Sequence, residues 1–466
     1  MPVPRSSRLA LATALALLLP AMMARMSAAE DLAAMYRDTA NRILDAAMAD
    51  EEGWEKLTYL TTAIGNRLSG SKRLEEAIDW AVERMETEGF DRVVRQPVKV
   101  PHWVRGEEAA WVVEPSLRRL PMLGLGGSVG TAPEGVIGEV VTVSSFEELD
   151  ALERSAVEGR IVVYAVPWEG YGRTVRYRST GASRAAAKGA VAALVRSATG
   201  RSLATPHTGA LSYAEDQPKI PAAAITPEDA EWFERMKALG KRAVVRLEMG
   251  ARTLPDADSA NVIAEIRGSE LPKEVVVMGG HYDSWDVGQG AHDDGAACIA
   301  AWQALEILED LGLRPRRTLR VVLWTNEENG LAGGRAYREW VGEAVEHHVA
   351  AIEMDGGAER PVGFGVGGRD APAGGAVEKL RPIGELLERI DAGAITAGGG
   401  GADIGPLMRE GVPGLALRTI GEHYFDWHHT DADTLDKVEP ENLRKATGML
   451  AVMGFVLADM PGTLRE

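Results

Sequence analysis

The chain has 466 residues, 45% hydrophobic and 26% charged, which is enough for two or three globular domains with a sizeable core. Its formal charge is −18 at neutral pH, and residues 1–29 hold Arg5, Arg8 and Arg25 with no acid, so the remainder is more negative still. This balance excludes ready binding to nucleic acid and suits attraction of metal cations or free amines.

The first thirty residues read as an export signal: Arg5 and Arg8 precede an apolar run from Leu9 to Met23, and Ser27-Ala28-Ala29 supply the small residues of a cleavage site. The run falls short of the ~20 residues that span a bilayer. The expectation is an exported protein, periplasmic or secreted, cleaved near Ala29 and holding no membrane attachment afterwards. Asp31 to Met48, Trp54 to Ile64 and Leu74 to Met85 carry apolar residues at helical spacing. Between the last two, Gly65-Asn66-Arg67-Leu68-Ser69-Gly70-Ser71 is a turn-rich segment that could present side chains to a site, although its composition alone favours a plain inter-helix loop. Val93 to Val104 alternates as a strand.

From about Glu107 to Arg252 the texture changes to short strands at Glu139 to Val143, Arg160 to Ala165 and Ala243 to Glu248. Helical stretches are expected between them at Phe146 to Ser155, Arg184 to Val195 and Pro227 to Leu239. This predicts a separate small α/β or β-rich insert. From Asp256 on, strands at Ala260 to Ile266, Val275 to Met278, Thr318 to Trp324, Val349 to Met354 and Gly414 to Arg418 alternate with helices at Ala296 to Leu311, Leu331 to Glu343, Ala376 to Ile390 and Pro440 to Ala458. That pattern predicts an α/β domain with a largely parallel sheet. The expected division is 1–29 signal, 30–106 first part of the main domain, 107–252 insert and 253–466 remainder. Cys298 is the only cysteine, so no internal disulfide forms, and within the apolar stretch Ala296 to Leu308 it reads as a buried small hydrophobe.

The chemistry gathers at strand ends. His281 lies just past the apolar run Val275 to Met278, and in open α/β sheets ligands bind outside the carboxyl ends of the strands. Three further expected strands end in similar groups: Asn326-Glu327-Glu328, then Asp355, then a loop reaching His428-His429 and Asp433. Any one alone is usually a solvated loop; four on one edge make a candidate metal crevice. Hard oxygen ligands mixed with two imidazoles suit Zn²⁺, and two ions sharing a carboxylate would lie about 3.5–4 Å apart. Asp293, followed by Asp294-Gly295 where the backbone can turn, is the natural bridge. Glu327 and Glu328 point different ways and can divide the roles of ligand and general base.

His281-Tyr282-Asp283, Asp293-Asp294-Gly295, Glu327-Glu328, Asp355, His429-Thr430 and Asp433-Thr434 resemble the co-catalytic zinc aminopeptidase and glutamate carboxypeptidase superfamily. The likeness runs over nearly all of the chain beyond the signal, including LGLRPRRTLRVVLWTNEENG and SRAAAKGAVAALVRSATG. It implies a zinc-exopeptidase three-layer αβα sandwich with a mixed, largely parallel sheet, carrying an inserted protease-associated domain as a lid. It implies two Zn²⁺ per chain, one held by His281, Asp293 and Asp355 and the other by Asp293, Glu328 and His429. Glu327 is then the general base toward the water bridging the metals, and Asp283 orients the His281 imidazole. A non-proline cis peptide is implied at Asp293-Asp294. The implied substrates are short peptides, dipeptides above all, with a free N-terminus, and the implied assembly is a homodimer. Arg418, Tyr424 and His428 are the candidate substrate residues. Arg418 and Arg335 are the candidates for a carboxylate clamp, and Tyr424 competes with the metals as oxyanion stabiliser. His292, Asn326 and His423 are near the motifs without being ligands. A one-zinc glutaminyl cyclase and a catalytically inactive binding module share this scaffold, but the complete ligand set favours the peptidase.

Overall fold

Strands that are apolar on both sides need a sheet covered on both faces. In the computed structural model, which describes residues 32–368 and 373–465, eight strands form that sheet. They run in the order Arg92–Val104, Arg252–Ile266, Arg317–Trp324, Leu271–His281, His348–Glu353, Gly414–Thr419, Pro361–Gly367 and Ala394–Ala397. The four from Arg317–Trp324 to Gly414–Thr419 are parallel, and each outer member of that quartet meets an antiparallel neighbour. The sheet is therefore mixed with a parallel centre.

Successive side chains take opposite faces, as strand geometry requires. Val276, Met278, Leu319 and Val321 pack beneath the helices Ala296–Asp310 and Pro440–Asp459. Val275, Val277, Val322 and Trp324 pack on the other face with Tyr337 and Leu407, from the helices Ala332–Val341 and Gly405–Arg409. Each such aliphatic side chain, wholly buried, contributes about 1.5–3 kcal/mol. Cys298 lies in this core and its thiol donates to the His281 carbonyl at 3.1 Å.

Two strands of this sheet had no counterpart among the expected elements. Pro361–Gly367 carries Gly363, Gly365 and Gly367, and Ala394–Ala397 is a short edge strand, so neither has the β-branched signal that marks the centre.

The strands between Glu108 and Met249 pair, among the described residues, with one another. Ile161, Val163, Leu194 and Ala223 pack on one face of this second sheet, and Val162, Tyr164, Ala193 and Val195 on the other. The expected helix from Arg184 to Val195 is corrected: the helix spans Tyr171–Ala187 and Ala192–Arg196 is a strand. Gly189, at φ +87°, ends the helical path, and the Ala-rich run then fits between two parallel neighbours, Ile161–Tyr164 and Ala222–Ile225. The chain enters and leaves this body through an antiparallel ribbon whose register runs from Arg92 opposite Glu265 to Val104 opposite Arg252. Leu68, Trp103, Trp285 and Val287 join one of its cores. No helix among the described residues is long and apolar enough to cross a membrane, and the expected signal at 1–29 lies outside the described residues.

Candidate metal centre

Four parallel strands deliver their C-terminal loops to one edge of the sheet, and the side chains named at those ends converge there. His281 closes the strand Leu271–His281. Its Nδ1–H donates to the Asp283 carbonyl at 3.0 Å, which leaves Nε2 facing Asp293 Oδ1 at 3.1 Å and Asp355 Oδ1 at 3.8 Å. On the other side of the same carboxylate, Asp293 Oδ2 faces His429 Nε2 at 3.3 Å, and that nitrogen also meets Glu328 Oε2 at 3.1 Å. His429 donates from Nδ1 to the Thr208 carbonyl at 3.2 Å, which aims its Nε2 at these two carboxylates. Asp293 therefore sits between two groups, His281 with Asp355 and His429 with Glu328, turning one oxygen to each. The Asp293-Asp294 peptide is cis.

Three aspartates whose carboxylates do not face Nε2 of either imidazole hold the backbone of the residues that do. Asp283 accepts from the N–H of Glu327 at 2.9 Å and of Glu328 at 3.3 Å, and from the Ser69 hydroxyl at 3.2 Å. Asp294 accepts from the His281 N–H at 3.1 Å. Asp433 accepts from the N–H groups of Ala291, His292 and Asp293 at 3.0, 2.7 and 3.2 Å. The Asp283 carboxylate, expected to orient the His281 ring, is 3.8 Å from Nδ1 and serves the Glu327-Glu328 turn instead; the main-chain carbonyl of the same residue takes the ring proton.

The donor set fits divalent cations. Asp293 Oδ2 and Glu328 Oε1 are buried with no hydrogen-bond partner, an arrangement that costs about 1–3 kcal/mol per group unless something else pairs them. Burial, reinforced by Asp355 and Glu328, pushes the Glu327 carboxyl well above the usual carboxylate range. Burial and Asp293 push Glu328 up to about 7. Burial alone would lower His429, yet Glu328 and Asp293 push it up to about 10. The cluster carries more negative charge than its two imidazoles balance, and bound cations relieve that excess.

The residues enclose a pocket of about 320 Å³ lined by Asp293, Glu327, Glu328, Asp355, Tyr424, Phe425, His428 and His429, together with Tyr171 and Arg178 from the second sheet's body. Burial keeps the Tyr424 hydroxyl protonated, with Asp293 and Asp355 adding to the effect. His428 stacks on His429 with ring centroids 3.5 Å apart, and its Nε2 is 3.6 Å from Asp293 Oδ2; burial and His429 hold it neutral. Arg418 and Arg335 do not reach this pocket. Along Gly414–Thr419 the alternation buries Leu415 and Leu417 and turns Arg418 outward, where it donates to the Gly398 carbonyl; Arg335 is exposed on its helix. His292 is pinned between the Ala358 N–H and the Lys437 carbonyl, each at 2.9 Å, and His423 bonds Asp426 at 2.9 Å.

The segment from Gly65 to Ser71 is no plain loop. Arg67, wholly buried, donates to the carbonyls of Tyr282, Gly65, Gln289 and Gly290, and Ser69 bridges Asp283 and Asn326. An arginine in a glycine- and serine-rich turn was the only local signal. Tyr171 and Arg178 had none, since nothing in YGRTVRYRST separates an arginine that faces a site from one that faces water.

Residues 261–453 match peptidase family M28. Carboxypeptidase Q of Xenopus laevis is 44% identical over 428 residues, which cover 91% of this chain and 90% of the relative. A solved peptidase M28 precursor from Shewanella amazonensis SB2B is 34% identical, with a TM-score of 0.87, covering 92% of this chain and 98% of its own. A zinc aminopeptidase from Bacillus subtilis, at 18% identity and a TM-score of 0.64 over 86% of this chain and 93% of its own, shares the fold. With this extent of likeness to carboxypeptidase Q, the chain belongs to the zinc peptidases of family M28.

Proposed function

We propose that the chain is an exported dinuclear zinc exopeptidase that hydrolyses short peptides, dipeptides above all, from a free N-terminus. The observation that carries this reading is Asp293, whose two carboxylate oxygens face two separate imidazole-and-acid groups. His281, Asp293 and Asp355 would hold one ion and Asp293, Glu328 and His429 the other. Bound there, the ions supply Lewis acidity toward a carbonyl oxygen and make a water more acidic. Glu327, fixed by the bond from its N–H to Asp283, accepts the attacking water's proton and returns it to the leaving amine. The Tyr424 hydroxyl remains a donor that can face the developing oxyanion.

Carboxylates around the pocket favour a substrate ammonium, and 320 Å³ lies at the small end for ligand pockets, which suits a dipeptide. The body between Glu108 and Met249 is read as a protease-associated lid that limits substrate length. Export rests on the apolar run from Leu9 to Met23. The test is metal content per chain alongside hydrolysis of free and N-acetylated dipeptides. Two zinc ions with cleavage confined to free amines is the expected result; equal rates on acetylated and free dipeptides would remove the specificity, and one ion or none in an active protein would remove the dinuclear centre.

A further inference from the structure

The surplus of acids in this chain is not spread evenly. Residues 107–252 hold as many Lys and Arg as Asp and Glu, so the whole negative excess belongs to the rest of the sequence. On this neutral body lies a second cavity, of about 280 Å³, which shares no residue with the metal pocket. It opens between the strand Val136–Val143 and the helix Pro227–Ala238, and the segment from Glu148 to Arg160 supplies the remaining wall. Phe233, Met236 and Lys237, at i, i+3 and i+4, share the helix face that lines it, and Leu152 and Ala156 add apolar surface. The polar groups around these walls are mostly cations. Glu148, the one acid lining the cavity, is already engaged: one oxygen accepts from the Ser144 N–H at 2.7 Å and hydroxyl at 2.8 Å, and the other from Lys237 at 2.6 Å. Arg160 and Lys241 make no side-chain hydrogen bond or ion pair among the described residues.

We propose that this cavity binds a small amphipathic carboxylate, with its apolar tail against Phe233, Met236 and Leu152 and its head group on Arg160 and Lys241. Apolar walls with a few convergent polar groups are the usual make-up of a small-molecule site, and a guanidinium offers a carboxylate two parallel donors. At about 30 Å³ for each water-sized group, the cavity holds roughly nine or ten non-hydrogen atoms, which is the size of an eight-carbon fatty acid. Repulsion from the acids elsewhere does not oppose such an anion, because the body has no net charge and more distant charges are screened over about 8 Å at physiological salt. The site is independent of the peptidase reading, since none of its residues meets the metal edge.

The experiment titrates octanoate into the zinc-loaded protein by calorimetry, with 1-octanol and octylamine as neutral and cationic counterparts of the same tail. Octanoate should bind at one site, octanol about 10-fold more weakly or worse, and octylamine not at all. The double substitution Arg160→Gln with Lys241→Gln should reduce octanoate to the affinity of octanol. Ala156→Phe, which fills the cavity from a partly exposed turn, should remove binding of both. Both variants should hydrolyse a dipeptide at the wild-type rate, which shows that they are folded. Equal affinity of the wild type for octanoate and octanol would overturn the proposal, as would no binding at about 10 mM. Octanoate binding that survives Ala156→Phe and competes with the dipeptide would place it at the metal pocket and overturn the proposal as well.

Discussion

Under the proposed mechanism Glu327 is the residue on which the chemistry turns, because it lines the pocket outside the two groups that meet at Asp293. Glu327→Gln keeps the shape and removes the base. Turnover should fall about 10²- to 10⁴-fold with zinc content unchanged, as read by steady-state kinetics and metal analysis on the same preparation; loss of zinc from this variant would show that Glu327 is a ligand. Asp433 presents the opposite case, a carboxylate that meets no ligand atom but accepts three N–H groups from the turn that carries Asp293. Asp433→Ala leaves those donors without a partner, at about 1–3 kcal/mol for each that water cannot reach. The expected outcome is a lower Tm and a weaker hold on zinc, measured by titration with a chelator. His429 adds a related constraint: its φ of +62° is in the left-handed region, which costs about 1–2 kcal/mol, and the Thr208 N–H binds its carbonyl at 3.0 Å.

At the level of elements, the turn from Gly65 to Ser71 fixes the long connection between His281 and Asp293. Arg67→Met would strip the donor from four carbonyls, two of them in Gln289 and Gly290 just ahead of Asp293. We expect a fall in Tm of several degrees and a rise in the zinc dissociation constant; an unchanged zinc affinity would confine Arg67 to stability. This element also shows where a sequence stops being legible. The ligand strands could be read because a run such as Glu274 to Met278 declares its burial locally and the chemistry follows within a few residues. Arg67 could not, since three of its four carbonyl partners lie more than two hundred residues away, and neither could Arg178, whose contact with His429 is equally remote. The expected helix at Arg184 to Val195 failed for a different reason: alanine fits helix and strand alike, and the parallel neighbours on both sides decided. Arg418 was misplaced because its position on the strand was read without the alternation that turns it outward.

Across the whole molecule, acids outnumber bases by eighteen, and at one buried site several acids gather around a single lysine. Lys56 meets Glu306, Glu88 and Gln303 beneath the Trp302 ring. Burial, with Glu88 and Glu52 adding to it against Lys56, pushes the Glu306 carboxyl up to about 7 from 4.5. A carboxyl raised in the folded state stabilises fully below its unfolded pKa, and that contribution is lost as pH rises through the folded value. Tm should therefore decline between pH 5 and pH 8, and Glu306→Gln should flatten the decline in parallel melts; an identical slope in the variant would remove Glu306 as the cause. The second sheet's body is tied to the metal edge by Thr208, by the bond from His207 to the His428 carbonyl at 2.8 Å and by its shared core with Trp285. Yet the ribbon that carries it ends on a cross-strand pair, Val104 with Arg252. Topologically the entire body is one overgrown hairpin loop, so a gene joining those two strands through a short turn would encode an uninterrupted peptidase sheet. What such a shortened enzyme would forfeit is the carbonyl that orients the His429 ring, the cover over Trp285 and the guanidinium in the pocket.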